Sequence, residues 1–268
     1  MLHVDALNCS YGSREESILD GITFHVGRGS LCGLFGPNGS GKSTLFRCCL
    51  KLLTFQEGRV MMKGKSIHKM GIREMAKTVA YVPQDHKPPF PYLVREVVLM
   101  GRTPHMNGLF GVTRQEKEKA EEALALLSME HLADKTYNSL SGGQRQMVLM
   151  ARAIAQETEI MFLDEPTSAL DFSNQIKIWN TIRKIADSGV TILACTHDPN
   201  HVSWFCDEVV VLGDRKVVAK GKPEQVITRE TLNLIYSDMC DVGRLNGSKI
   251  VFPSHLTEGR PKGQLRAM

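Results

Sequence analysis

The chain has 268 residues, of which 42% are hydrophobic and 23% charged, and carries a formal net charge of +4. That balance excludes a mostly disordered chain and leaves room for one large α/β domain with appended pieces. No run approaches the roughly 18 apolar residues of a membrane span, the N-terminus lacks a basic-then-apolar secretion signal, and the charge is too small to imply nucleic acid as a partner. The chain is expected to stay in the cytoplasm, where a slight positive charge suits the surface of an anionic membrane.

In chain order, residues 2–9 and 22–26 read as strands, and a turn at Gly27 to Gly29 precedes a short apolar strand, Leu31 to Phe35, that runs into a glycine-rich loop. A helix over Ser43 to Leu53 follows, then strands over Gly58 to Met62 and Thr78 to Val82. From Leu93 to about Lys135 the pattern is helical, and Glu116, Lys117, Glu118, Lys119, Glu121 and Glu122 are expected to form a solvated helix face. A further helix, Gly142 to Gln156, sets Met147, Met150, Ala151 and Ile154 on one core-facing stripe.

The apolar strand Ile160 to Leu163, a helix over Ser173 to Asp187 and a strand over Val190 to Thr196 come next, with Asp198 and Pro199 as N-cap and first position of another helix. Val209 to Leu212 and Lys216 to Ala219 read as a hairpin. Strands alternating with helices predict a mainly parallel sheet with right-handed crossovers. One domain is expected over residues 1–253, with a helical subdomain at about 85–156 and a flexible basic tail over 254–268.

The cysteines Cys9, Cys32, Cys48, Cys49, Cys195, Cys206 and Cys240 form no Cys-x-x-Cys pair and read as reduced, mostly buried thiols. A zinc cluster of Cys195, His197, His201 and Cys206 is disfavoured, because it would divide its ligands between a strand end and the next helix.

Three motifs carry chemistry. Gly36, Pro37, Asn38, Gly39, Ser40, Gly41, Lys42, Ser43 and Thr44 satisfy the phosphate-loop pattern between a predicted strand and a predicted helix. Such a loop curls so that its N–H groups point at phosphates, helped by the helix dipole, while Lys42 reaches the β- and γ-phosphates and Ser43 the Mg²⁺ of a bound nucleotide. The strand from Ile160 ends in Asp164 and Glu165, two acids for two roles: Asp164 toward Mg²⁺, and Glu165 to polarise the water attacking the γ-phosphate. Leu140 and the run Ser141, Gly142, Gly143 and Gln144 open a helix with a capping serine, a second anion-ready site.

Together these motifs resemble the ATP-binding subunits of ABC transporters, and the resemblance implies a phosphate-loop ATPase core with a mainly parallel sheet, an antiparallel β subdomain and an inserted helical subdomain. It implies ATP hydrolysis with Mg²⁺ coupled to transport. Position by position, Gln84 matches the glutamine that touches Mg²⁺ and leads into the helical subdomain. Asp171, in Ser168-Ala-Leu-Asp, matches the acid of the segment crossing between subunits; His197 matches the histidine at the γ-phosphate; Tyr11 resembles the aromatic that stacks on adenine.

Because the family's signature loop closes over a partner's nucleotide, one copy of each motif implies a homodimer with two shared sites. Leu93 to His105, Leu170 to Gln175 and Thr196 to His201 are similar to the importer ATPases for metal chelates, meaning iron-siderophore, haem or cobalamin, over about residues 2–253. Arg145-Gln-Met-Val after the signature and Pro199 after His197-Asp depart from the usual residues. Molybdate-type importers are the alternative. The resemblance further implies a pair of transmembrane permease subunits, an extracytoplasmic binding protein and a peripheral place on the inner face of the cell membrane. A DNA-repair ABC ATPase would carry a long coiled coil between Lys42 and Ser141, and a translation-factor type would carry two cassettes; neither pattern is present.

Overall fold

The computed structural model of the protein describes residues 1–10, 17–84, 90–106, 111–168 and 170–256. Strands β1 (Leu2–Cys9) and β2 (Leu19–Val26) pair antiparallel. The buried positions of β1 run Leu2, Val4 and then Leu7, Cys9, a slip of one in the alternation at the irregularity where Ala6 takes φ 47°. β2 begins at Leu19 rather than at the expected residue 22, where Ile18 donates to the Cys9 carbonyl and Asp20 to the Arg215 carbonyl, pairings made with distant segments.

β3 (Leu31–Phe35) is buried throughout and leads into α1 (Lys42–Cys49). This helix stops short of the expected Leu53 because Lys51 adopts φ 60°, a left-handed conformation that ends helices. β4 (Glu57–Met62) joins β1, and β5 (Lys65–Ser66) completes a four-stranded antiparallel sheet in the order β2-β1-β4-β5.

After α2 (Ile72–Thr78) and β6 (Val79–Val82), helices α3 (Val94–Leu99), α4 (Arg114–Leu126) and α5 (Gly142–Ala155) pack on one another. β7 (Ile160–Asp164), α6 (Phe172–Asp187), β8 (Thr191–Thr196), α7 (Pro199–Phe205), β9 (Glu208–Gly213) and β10 (Lys216–Gly221) then complete the main sheet, ordered β10-β9-β3-β8-β7-β6. All of its neighbouring pairs are parallel except β9 with β10. Finally α8 (Pro223–Val226) and α9 (Arg229–Tyr236) precede a hairpin of β11 (Cys240–Leu245) and β12 (Ser248–Pro253).

Both faces of the main sheet are covered, which is why its strands are continuous apolar runs rather than alternations. Leu34, Phe162 and Leu193 face α1 and the antiparallel sheet, where Phe46 meets Phe162 at 4.8 Å between ring centroids. Met161, Leu163 and Ile192 face the opposite way, onto α3 to α6 and the buried Trp179. A third cluster, with Phe35, Val202, Val211 and Leu232, lies under the C-terminal elements.

Two expectations need correction. Glu116 is not part of a solvated face: it is 8% exposed and accepts from Arg102 Nε at 2.5 Å. Arg102, itself 3% exposed, also bonds the Ala155 carbonyl and, at 2.7 Å, Glu157. The expected stripe of α5 is also too narrow, for Val148 and Leu149 are fully buried while Met147 and Ile154 are half-buried. Helix α5 is enclosed by α3, α4 and the sheet, so an amphipathic period understates its burial.

All seven cysteines are free thiols, five buried and two half-buried. His201 lies 3% exposed against Trp179, and among the described residues no group of three or more His, Cys, Asp or Glu could hold a metal ion. No described helix is long and apolar enough to cross a membrane. Of the expected tail, Ser254 to Leu256 form a 3-10 turn, in which Ser254 N–H donates to the Met239 carbonyl at 3.0 Å; residues 257–268 lie outside the described residues.

Candidate functional site

Parallel strands deliver their carboxyl ends to one edge of the sheet. β3 ends at Phe35, β7 at Asp164 and β8 at Thr196, so the residues that follow, Gly36 to Lys42, Glu165 and His197, are gathered at that edge from three distant parts of the chain. The loop after β3 lies hard against β9: a Cβ on Gly36 would sit 2.3 Å from the Leu212 carbonyl oxygen, which excludes any side chain there without moving the loop. Gly41, the N-cap of α1, turns at φ 97°, a conformation that only glycine enters without strain.

Lys42 is 7% exposed, and its ammonium donates to the carbonyls of Gly36 at 2.8 Å and Pro37 at 3.0 Å. It stands 3.8 Å from Glu165 Oε1. Next along α1, the Ser43 hydroxyl donates to Asp164 Oδ1 at 3.3 Å, and the Tyr81 phenol donates to Asp164 Oδ2 at 3.2 Å. Burial pushes the Asp164 carboxyl above its ordinary range, outweighing the lowering by Tyr81, Ser43 and the Lys42 and Arg47 charges. The Tyr81 phenol is raised too, by burial first and then by the Asp164 charge.

Glu165 holds φ 50°, a strained backbone for a residue with a side chain, of the kind found at functional sites. Its Oε2 meets His197 Nδ1 at 2.7 Å. Gln84 Nε2 donates to Ser168 Oγ at 3.2 Å. The turn after Glu165 is braced from α6, where the buried Trp179 donates to Thr167 Oγ1 at 3.3 Å and Gln175 donates to the carbonyls of Thr167 and Leu170.

An open cavity of about 290 Å³ is lined by Ile18, Asn38, Gly39, Gly41, Lys42, Ser43, Thr44, Gln84, Glu165 and His197. The predicted phosphate-loop, acidic-strand, glutamine and histidine candidates therefore converge on one site. Ser141 to Gln144 are not among its lining residues. Ser141 instead caps α5 in a reciprocal box with Gln144, its Oγ accepting from Gln144 N–H at 3.3 Å, an arrangement worth about 1 kcal/mol to a helix. Gly142 and Gly143 lie beside Leu170 and Asn174, where an added Cβ would meet ordinary contacts at 3.5 Å. Asp171 caps α6, accepting from the backbone N–H and side-chain amide of Asn174. Tyr11 lies outside the described residues.

Sequence reasoning missed Tyr81, Ile18 and the Ser168 contact of Gln84. Tyr81 had a local signal, since it stands at the end of a strand three residues before Gln84, but its partner Asp164 is found only by pairing β6 with β7.

Nucleotide chemistry fits these groups. Lys42 and the N-terminal end of α1 face the cavity, a cation and a helix start suited to phosphate, and Ser40 Oγ in the same loop is buried without a partner among the described residues. A hydroxyl and a carboxylate 3.3 Å apart form a hard-oxygen pair suited to Mg²⁺.

The doubly covered parallel sheet, the phosphate loop at its edge and the capped signature helix define an ATP-binding cassette, and the ABC transporter family profile matches residues 19–168, so the chain belongs to that family. It is similar to the ferric enterobactin transport ATP-binding protein FepC of Escherichia coli K12, 34% identical over 256 residues that cover 94% of this chain and 93% of that protein. Among solved structures it resembles a chain described as part of a metal-chelate type ABC transporter in an inward-facing conformation, with TM-score 0.81 and 30% identity over 94% of this chain and 96% of the other. It also resembles the dimeric ATP-binding cassette MJ0796 in a post-hydrolysis state bound to ADP and Pi, with TM-score 0.72 and 28% identity over 83% of this chain and 99% of the other. The fold shared with these cassettes accounts for the mixed sheet, the antiparallel sheet and the helical group α3 to α5.

Proposed function

We propose that the chain is the ATPase of a metal-chelate importer, hydrolysing ATP to ADP and phosphate in a homodimer with two shared sites. The observation that carries the reading is the convergence of Lys42, Ser43, Glu165 and His197 on one cavity, with Asp164 bonded to Ser43 behind it. Lys42 exchanges the Gly36 and Pro37 carbonyls for the β- and γ-phosphates. Ser43, Asp164 and Gln84 would hold Mg²⁺, which would neutralise phosphate charge when bound. Glu165 orients and polarises the attacking water, with His197, bonded to its carboxylate, at the γ-phosphate.

Ser141 to Gln144 lie outside the cavity of their own chain, which supports their acting on a partner's nucleotide, with Asp171 beside them at the subunit crossing. A pair of permease subunits and an extracytoplasmic binding protein complete the transporter, and the ATPase sits peripherally on the inner face of the membrane. A cleft of about 560 Å³ between α2 and the helical group, lined in part by Leu52, Ile72, Met100 and Pro104, supports permease docking, for Ile72 is 90% exposed.

Similarity to the FepC protein favours a ferric siderophore as cargo. The test is uptake of radiolabelled ferric siderophore and of molybdate by cells whose only copy carries Lys42→Ala. Loss of siderophore uptake with molybdate uptake intact is expected; the reverse pattern selects the molybdate-type alternative.

A further inference from the structure

We propose that the C-terminal unit formed by α9, β11 and β12 holds His197 at the hydrolysis site, with Tyr236 as its positioning residue. The inference rests on the reading of His197 as a group acting at the γ-phosphate.

His197 sits where the sheet no longer controls the chain. The pairing of β8 with β3 ends at Thr196, and α7 does not begin until Pro199. The imidazole meets Glu165, and half of the side chain is exposed. The backbone at this joint is gripped from the C-terminal unit instead. Tyr236, at the end of α9, donates its hydroxyl to the carbonyl oxygen of His197 at 3.2 Å. Its ring packs edge-on against Phe35, the last residue of β3, at 6.1 Å between centroids, so the hydroxyl is aimed by a contact with the strand that delivers the phosphate loop.

The far side of the joint is held as firmly. Asn200, in the first turn of α7, makes a two-point bond with Val251 of β12: its amide donates to the Val251 carbonyl at 3.1 Å and its side-chain carbonyl accepts from the Val251 N–H at 2.8 Å. Further along α7, the Trp204 indole donates to the Lys249 carbonyl at 2.9 Å. β12 is itself fixed, because the buried Lys249 ammonium donates to the carbonyls of Glu224 and Ile227 at 2.7 Å each. His197 thus lies between Tyr236 on its own carbonyl and the Asn200 clamp just beyond. The Tyr236 phenol remains a donor over the working pH range, since burial, followed by the charges of Cys240, Asp198 and Glu165, pushes it up to about 12.

A tyrosine serving only to pack α9 would tolerate loss of the hydroxyl, whereas one that aims His197 would not. The test is Tyr236→Phe in the full chain, which keeps the ring against Phe35, compared with His197→Ala and the double variant by single-turnover phosphate release, ATP titration and thermal unfolding. Tyr236→Phe is expected to lower kcat about five- to tenfold, the effect of one hydrogen bond, with KM for ATP within about twofold and the melting temperature lowered by no more than about 4 °C, the stability of that one bond. In the His197→Ala background the same change should alter the residual rate by less than about 1.5-fold, because two residues acting through one group are not additive. Asn200→Ala, which leaves Tyr236 intact, is expected to show the same split and the same loss of effect in that background. Wild-type turnover in Tyr236→Phe overturns the proposal, as does an equal fold loss with and without His197. Wild-type turnover in His197→Ala overturns instead the role given to His197, and the proposal with it.

Discussion

Replacing Glu165 by Gln isolates chemistry from binding. The carboxylate is nearly enclosed, with one oxygen 2.7 Å from His197 Nδ1 and the other 3.8 Å from the Lys42 ammonium, so an amide of equal size can occupy the same space. What is lost is the negative charge that polarises water, and general-base assistance of this kind contributes about 10² to 10⁴ in rate. Binding should hold or improve, because an acid beside Lys42 competes with phosphate for the same cation. The unhydrolysed nucleotide then bridges two chains. If the pair holds each ATP about 100-fold more tightly than a lone chain does, each site adds about 2.7 kcal/mol to association and two symmetric sites about 5.5 kcal/mol, roughly 10⁴ in the dimer constant. Size-exclusion chromatography of Glu165→Gln in MgATP should therefore show a stable dimer retaining ATP, which the wild type in MgATP does not form. Turnover at the wild-type rate, or a monomer at saturating MgATP, refutes the role assigned to Glu165.

Ser141→Arg should leave ATP binding by the isolated monomer nearly intact while stopping hydrolysis, since Ser141 lies away from its own cavity; normal turnover would remove the case for shared sites. Asp164→Asn should abolish hydrolysis yet raise the melting temperature of the chain in EDTA without nucleotide. The folded state raises the carboxyl of Asp164, so its contribution to stability is full below the unfolded pKa and is lost as pH rises through the folded one. The advantage of Asn should accordingly be greatest near pH 8 and vanish on acidification, and a lower melting point than wild type at pH 8 would contradict the reasoning. Arg102→Ala leaves the buried Glu116 without its partner and should cost about 3 to 5 kcal/mol in urea unfolding; a loss below about 1 kcal/mol would mean that water reaches Glu116.

The sequence by itself determined what is written in contiguous residues. The phosphate loop, the acidic strand end and the capped signature helix are each built from neighbours in the chain, and their glycines, caps and apolar runs have local physical causes: the φ of Gly41, the reciprocal box of Ser141 with Gln144, the double burial of β7. The alternation of strands and helices was enough to predict a mainly parallel sheet, and such a sheet gathers strand ends at one edge. What only the tertiary structure decided are the contacts between segments that sequence separation leaves unrelated. Arg102 neutralises a glutamate that local pattern assigns to solvent, because α3 and α4 are folded against the end of α5. Tyr81 reaches Asp164 only because β6 lies beside β7. Tyr236 reaches His197 only because α9 returns to the end of β3. A left-handed φ at Glu165 has no signal in its residue type, and the turn that follows it is held by Trp179 and Gln175 of a distant helix. Local free energies select the elements and motifs, whereas the partner of a buried charge or hydroxyl is chosen by packing, which depends on the whole chain at once.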